Sequence, residues 1–377
     1  MIWSASARAG IAFSRMDESA QKNARPRLKF IDLARTIAIL LMLEGHFIGL
    51  TLVEEARDPS HPVYAAWNFV RGFTAPLFFT VAGMIFVFLL SGERDTPFFK
   101  RERVRKGFRR AAELLFWGYA LQLTVRNFPN YLRGEFENWV FAFHVLQCIG
   151  VGLILLILIA AAQRAVVKIP LAVFYTIAMM VCLGVYLWLK SLPADTHVPE
   201  GWPQMVQNML SGPRDVFPVA PWLGFAFLGG AMGAFVRSTH HQPATLRSCL
   251  WFFILAAGLK LLWVAAVSLP IPQSSSDGIA WFTGRGCEVV AFLGLLRLLE
   301  IRYGIGVPWL LRIGRETFAI YIFHVMVLYG GLFGLGLNRY LTGKLGPWEA
   351  AGGALLFIAF FSIHGLLLNH WKTRRKS

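Results

Sequence analysis

The sequence predicts an all-α fold, a polytopic membrane bundle of about ten hydrophobic helices. Three observations predict it. Apolar residues make up 56% of the 377-residue chain and charged residues only 15%. Mean hydropathy is +0.53, which is more apolar surface than a soluble fold of this size covers with charged groups. The apolar residues also fall into runs long enough to span a bilayer, with basic residues gathered between them.

A spanning helix needs roughly 20 apolar residues. Such runs lie near 30–53, 67–92, 110–126, 139–163, 169–190, 217–237, 246–268, 279–300, 308–332 and 348–370. The third is the shortest. No run alternates with a period of two, so strands are not indicated. Connections after the odd-numbered runs hold few basic residues: Arg57, Arg126, Arg133, Lys190, Arg214, Arg339 and Lys344. The opposite side holds many more. Between the second and third runs alone lie Arg94, Lys100, Arg101, Arg103, Arg105, Lys106, Arg109 and Arg110. This asymmetry predicts a cell inner-membrane protein with both termini in the cytoplasm.

Residues 1–26 are basic and hold no apolar h-region, so they read as a disordered cytoplasmic segment rather than a signal peptide. Residues 27–371 read as one transmembrane domain and 372–377 as a basic cytoplasmic tail. The outer connection 191–216 is proline-rich, and 272–278 reads as a short polar turn.

The net charge of +16 would suggest nucleic acid in a soluble protein. In short loops between apolar runs it suits the cytoplasm and anionic headgroups instead, so no nucleic-acid partner is expected. Cys148, Cys182, Cys249 and Cys287 all lie in apolar runs without CxxC spacing. Neither a disulfide framework nor a metal site is expected. Walker A, GxSxG and HExxH patterns are absent from the sequence, which leaves nucleotide motors and soluble hydrolases unsupported.

The first helix carries Asp32, Arg35 and His46 in an otherwise apolar segment. At 100° per residue Arg35 and His46 differ by about 20° around the axis, and Asp32 falls within about 60° of both. Their rise separates Arg35 from His46 by about 16 Å. Ionisable residues at membrane depth face a cavity or one another, although an entry ion pair and a packed histidine satisfy the same pattern. Glu44 points elsewhere. Arg285 and Glu288, three apart, read as a structural pair. Gln122 and Gln147 read as interhelical hydrogen-bond formers.

Arg35, ten residues and then His46 resembles the first-helix motif of the transmembrane acyltransferase superfamily. Four further stretches extend the resemblance. Arg71-Gly-Phe-Thr-Ala-Pro76 through Gly83, His144-Val-Leu-Gln147, and Ala220-Pro-Trp222-Leu-Gly are similar to the heparan-α-glucosaminide N-acetyltransferase-like branch. Gly314-Arg315-Glu316 through Tyr321 and His324 is similar to the penultimate helix of that branch and of the acyltransferase 3 branch. The order of the motifs, spread over about 27–330, is more specific than any one of them. Thr36 stands where the family often has glycine, and His61 is a second candidate for the family histidine beside the favoured His46.

The resemblance implies transfer of an acyl group, expected to be acetyl. A cytoplasmic acyl-CoA would be the donor, and a glycan or envelope component on the outer side the acceptor. It implies His46 as the base or transient acyl carrier. Asp32 and Arg35 would organise the cytoplasmic end, and Arg71, Gln147, Trp222 and His324 would bind substrate. Histidine suits proton abstraction from the acceptor, and Arg71 suits a developing oxyanion or acceptor binding. The lipid bilayer and a homo-oligomeric partner complete the expectation. The competing readings are a transporter lined by the same polar residues, against which the lack of internal repeats counts, and a non-catalytic envelope assembly protein.

Overall fold

The computed structural model describes residues 28–92, 96–166, 168–193, 201–210, 217–239, 246–304 and 306–375. The expectations for 1–26, Arg94, Arg214 and the last two residues of the tail lie outside the described residues.

Ten principal helices follow in order among the described residues. They are α1 (Lys29–Thr51), α2 (Pro62–Leu90), α3 (Glu102–Ala120), α4 (Val145–Gln163), α5 (Leu171–Ser191), α6 (Val219–Thr239), α7 (Arg247–Ser268), α8 (Gln273–Tyr303), α9 (Thr317–Tyr329) and α10 (Pro347–Arg374). The fold is all-α, with only two isolated β-bridges among the described residues. Eight of the helices are long and apolar enough to cross a membrane; α3 and α9 are the others.

These two depart from the expected spans for physical reasons. α3 begins at Glu102, not near 110, because its first turns are charged and carry their own support. Lys106 pairs with Glu102, and Arg109 donates to Glu113 at 3.0 Å. The expected run 308–332 is broken into a short helix, Pro308–Ile313, and the 13-residue α9. At the break the backbone lies directly on α1. A Cβ on Gly314 would sit 2.5 Å from the Asp32 carbonyl oxygen and 2.6 Å from Thr36 Oγ1. The Thr36 hydroxyl donates to the Leu310 carbonyl at 2.7 Å. Glu316 is held from α10 by Lys372 at 2.5 Å and by Asn369 at 3.3 Å. α10 therefore continues through Lys372, which the sequence assigned to the tail. Thr36→Val, which keeps the shape and removes the donor, is expected to cost about 1 kcal/mol, read as a lower melting temperature in detergent.

The polar stretch 272–278 is not a turn. Pro272 caps α8, and the stretch forms its first turns, with the Ser276 hydroxyl donating to the Ala266 carbonyl at 2.8 Å.

α9 still runs beside α1 through the bundle. Arg35 donates to Thr317 Oγ1 at 3.0 Å at one level. Ile39 and Ile320 share a core cluster at the next. His46 meets His324 at the third. α3 covers a similar depth, from Arg110, stacked 3.7 Å over Phe318, to Gln122.

The tightest packing joins α2 to α6. A Cβ on Gly229 would lie 1.9 Å from the Thr80 carbonyl oxygen, one on Gly83 would lie 2.0 Å from that of Ala226, and one on Gly233 would lie 2.3 Å from that of Met84. Small residues at membrane helix contacts allow this backbone approach. Arg285 pins the first turns of α2 by donating to the Phe69 carbonyl at 3.2 Å while pairing with Glu288 at 2.9 Å, as its spacing predicts.

Candidate functional site

The polar face of α1 meets a cavity of about 700 Å³ at one end of the bundle. Chain direction explains why so many elements reach it. The second half of α1 (Met42, Gly45, His46) and the ends of α3 and α9 arrive from one side. The starts of α2 (Arg71, Thr74) and α4 (Gln147), together with Phe217 ahead of α6, leave from the same level. The loop after α9 closes the rim with Gly330, Gly331 and Gly334. Gly330 and Gly334 have φ of 75° and 68°, where glycine carries no Cβ penalty. Leu332 between them has φ 70°, a left-handed geometry that costs roughly 1–2 kcal/mol for a residue with a Cβ. The Val125 amide, donating to its carbonyl at 2.7 Å, helps hold it there.

His46 Nδ1 lies 3.0 Å from His324 Nε2, and His324 Nδ1 lies 3.3 Å from the Ile320 carbonyl oxygen. A carbonyl only accepts, so His324 carries its proton on Nδ1 and accepts at Nε2. His46 then donates from Nδ1, which leaves the lone pair of its Nε2 for a group in the cavity. His324 is fully buried behind His46 and does not line the cavity. Tyr329, which does, packs edge-on to His46 with ring centroids 5.9 Å apart.

Arg71 lies at the mouth. Its side chain crosses a notch in α1, where a Cβ on either Gly45 or Gly49 would come within 3.4 Å of it. Its guanidinium sits 5.5 Å from the Trp67 ring centre, and the Trp67 indole donates to Glu44 at 2.5 Å. The glutamate off the polar face thus fastens α2 to α1 beside Arg71.

Gln147 lines the cavity but is fully buried, with neither carboxamide atom hydrogen-bonded. Trp222 lies behind the wall, 4.8 Å from Phe217 and 5.4 Å from Trp281 between ring centroids. Asp32 and Arg35 stand at the other end of α1, where Arg35 has Asp32, Arg110 and Glu316 as charged neighbours. They share the face of His46 but not its cavity. Between the two levels Ala38 and Ile39 are fully buried. His61 caps the start of α2, exposed and outside the lining. Sequence reasoning gave no role to Tyr329, His144 or Phe217; His144 opens the His144–Gln147 motif, and the signal for the other two is that each lies near a helix end at the level of His46.

Among the described residues no group of three or more His, Cys, Asp or Glu is placed to hold a metal ion. Residues 27–270 match the family described as heparan-alpha-glucosaminide N-acetyltransferase, catalytic. The match ends just after α7, so it includes His46, Arg71 and Gln147, while His324 lies beyond it. No curated protein matches the chain.

Proposed function

The chain belongs to the heparan-alpha-glucosaminide N-acetyltransferase catalytic family, a membrane acetyltransferase family, and from that premise we propose that it moves an acetyl group from acyl-CoA to an outer-side glycan or envelope acceptor. The observation that carries the reading is His46 on the cavity wall, backed by its hydrogen bond to buried His324. It leaves one histidine nitrogen free to take a proton, where an acceptor from the cavity end meets it.

In this reading His46 Nε2 takes the proton from an acceptor amine or hydroxyl as its nitrogen or oxygen attacks the thioester carbonyl. The tetrahedral oxyanion forms beside Arg71. Collapse breaks the carbon–sulfur bond, and the thiolate recovers the proton from His46. His324 is a positioning residue, fixing the tautomer of His46 rather than binding substrate. Trp222 supports Phe217 in the wall, and Gln147 contacts the ligand. His61 lies outside the cavity lining and has no part in this reading.

The donor side rests on charge. Arg35 and Arg110 mark the basic end, which suits the phosphates of coenzyme A. The positive-inside rule places that end and both termini in the cytoplasm, so the cavity opens outward from the cell inner membrane. Buried Ala38 and Ile39 separate the two levels along this face of α1, so in this reading donor and acceptor approach His46 from opposite ends.

The test is acetyl transfer in membranes with and without the protein, supplied with radiolabelled acetyl-CoA. Protein-dependent label in the glycan or envelope fraction is the expected result. Equal label in both preparations would remove the proposal.

A further inference from the structure

Seven buried side-chain polar atoms among the described residues have no hydrogen-bond partner, and three of them belong to Gln122 and Gln147 on the cavity wall. Buried polar groups left unpaired cost stability, so such a cluster needs an explanation. The local geometry is built around it. Gly118 has no side chain where a Cβ would come within 2.7 Å of Gln147 Cδ, so the carboxamide rests on α3. Gln122 follows Gly118 by one turn on the same face. Its Nε2 donates to the Ala142 carbonyl at 2.8 Å. That bond fixes the orientation of the amide and leaves Oε1 as the unpartnered acceptor.

The wall therefore holds a donor and an acceptor on Gln147 and a second acceptor on Gln122, none of them with a partner within the protein. A trans secondary amide presents its carbonyl and its N–H in opposite directions, so it can bridge the two residues, its carbonyl accepting from Gln147 Nε2 and its N–H donating to Gln122 Oε1. We propose that Gln147, assisted by Gln122, recognises a secondary amide in the ligand; the proposal rests on the acetyltransferase reading for the ligand's identity. Two sources carry that chemistry: the pantetheine arm of the acyl donor, and an acetamido group on an amino-sugar acceptor or product.

Two probe pairs separate the sources on the full-length protein in detergent. S-acetyl-N-acetylcysteamine carries the donor's amide and S-acetyl-2-mercaptoethanol lacks it. N-acetylglucosamine carries the acetamido group and glucose lacks it. Binding is measured by ligand-observed NMR, without turnover. Wild type is expected to bind the amide-bearing member of one pair about tenfold or more tightly than its partner. The pair showing the preference names the source. Gln147→Met, close in shape, is expected to erase the preference. The same variant should melt at or above wild type when unliganded, because it removes an unpaired buried amide. No preference in either pair, a preference that survives in Gln147→Met, or a lower melting temperature of that variant would each overturn the proposal. Failure of acetyl-CoA turnover would strike the functional reading alone, because binding is measured independently.

Discussion

His46→Ala is expected to lower acetyl transfer by ~10²–10⁴-fold while the protein remains folded and inserted. The variant removes the cavity-facing nitrogen and leaves the surrounding helices in contact through Ile39, Ile320 and Phe361. It also strips His324 Nε2 of its donor, which adds a stability cost of about 1–3 kcal/mol. His324→Phe distinguishes positioning from packing. It leaves His46 Nδ1 without its acceptor, so both tautomers of His46 form. Transfer should fall less than in His46→Ala, and its pH profile should change shape. Because the two rings act as a unit, the double variant should lose no more activity than His46→Ala alone. Full transfer by His46→Ala, measured with radiolabelled acetyl-CoA, would withdraw the assignment.

The second large effect lies away from the cavity. Gly229→Ala places a carbon 1.9 Å from the Thr80 carbonyl oxygen, a rigid backbone atom. α2 and α6 must separate to admit it. Overpacking of this kind costs roughly 1–3 kcal/mol or more, expected as a marked fall in the detergent melting temperature. α2 also carries Arg71, and Phe217 stands at the entry to α6, so activity should fall even in molecules that remain folded. Gly258→Ala is the control. No atom lies within 4 Å of a Cβ built there, and alanine favours helix over glycine by roughly 1 kcal/mol. It should melt at or above wild type.

Apolar runs reveal most of this bundle because lipid demands them, and the ten runs correspond to the ten principal helices. α3 was harder to bound because its first two turns are held by charge pairs rather than by apolar burial. The break before α9 was invisible for a different reason. Gly314 sits inside a hydrophobic run, and only the closeness of the α1 backbone shows why the chain turns there. His46, Arg71 and Gln147 stood out as polar residues or motif positions, and the fold brings all three to one cavity. The role of His324 depends on the register between α1 and α9, which helical periodicity within either one does not contain. Trp222 illustrates the converse. Its motif is plain in the sequence, but only tertiary packing shows Phe217 standing between it and the cavity.

The buried stretch of α1 between Arg35 and His46 has an electrical consequence. Ala38 and Ile39 are fully buried and close that face of α1 between its two polar ends. If His46 takes and returns protons as proposed, that closed stretch keeps them apart from the Arg35 end of the helix. Widening that stretch with small polar side chains would turn a transferase into a leak, visible as dissipated membrane potential in vesicles before any change in the chemistry.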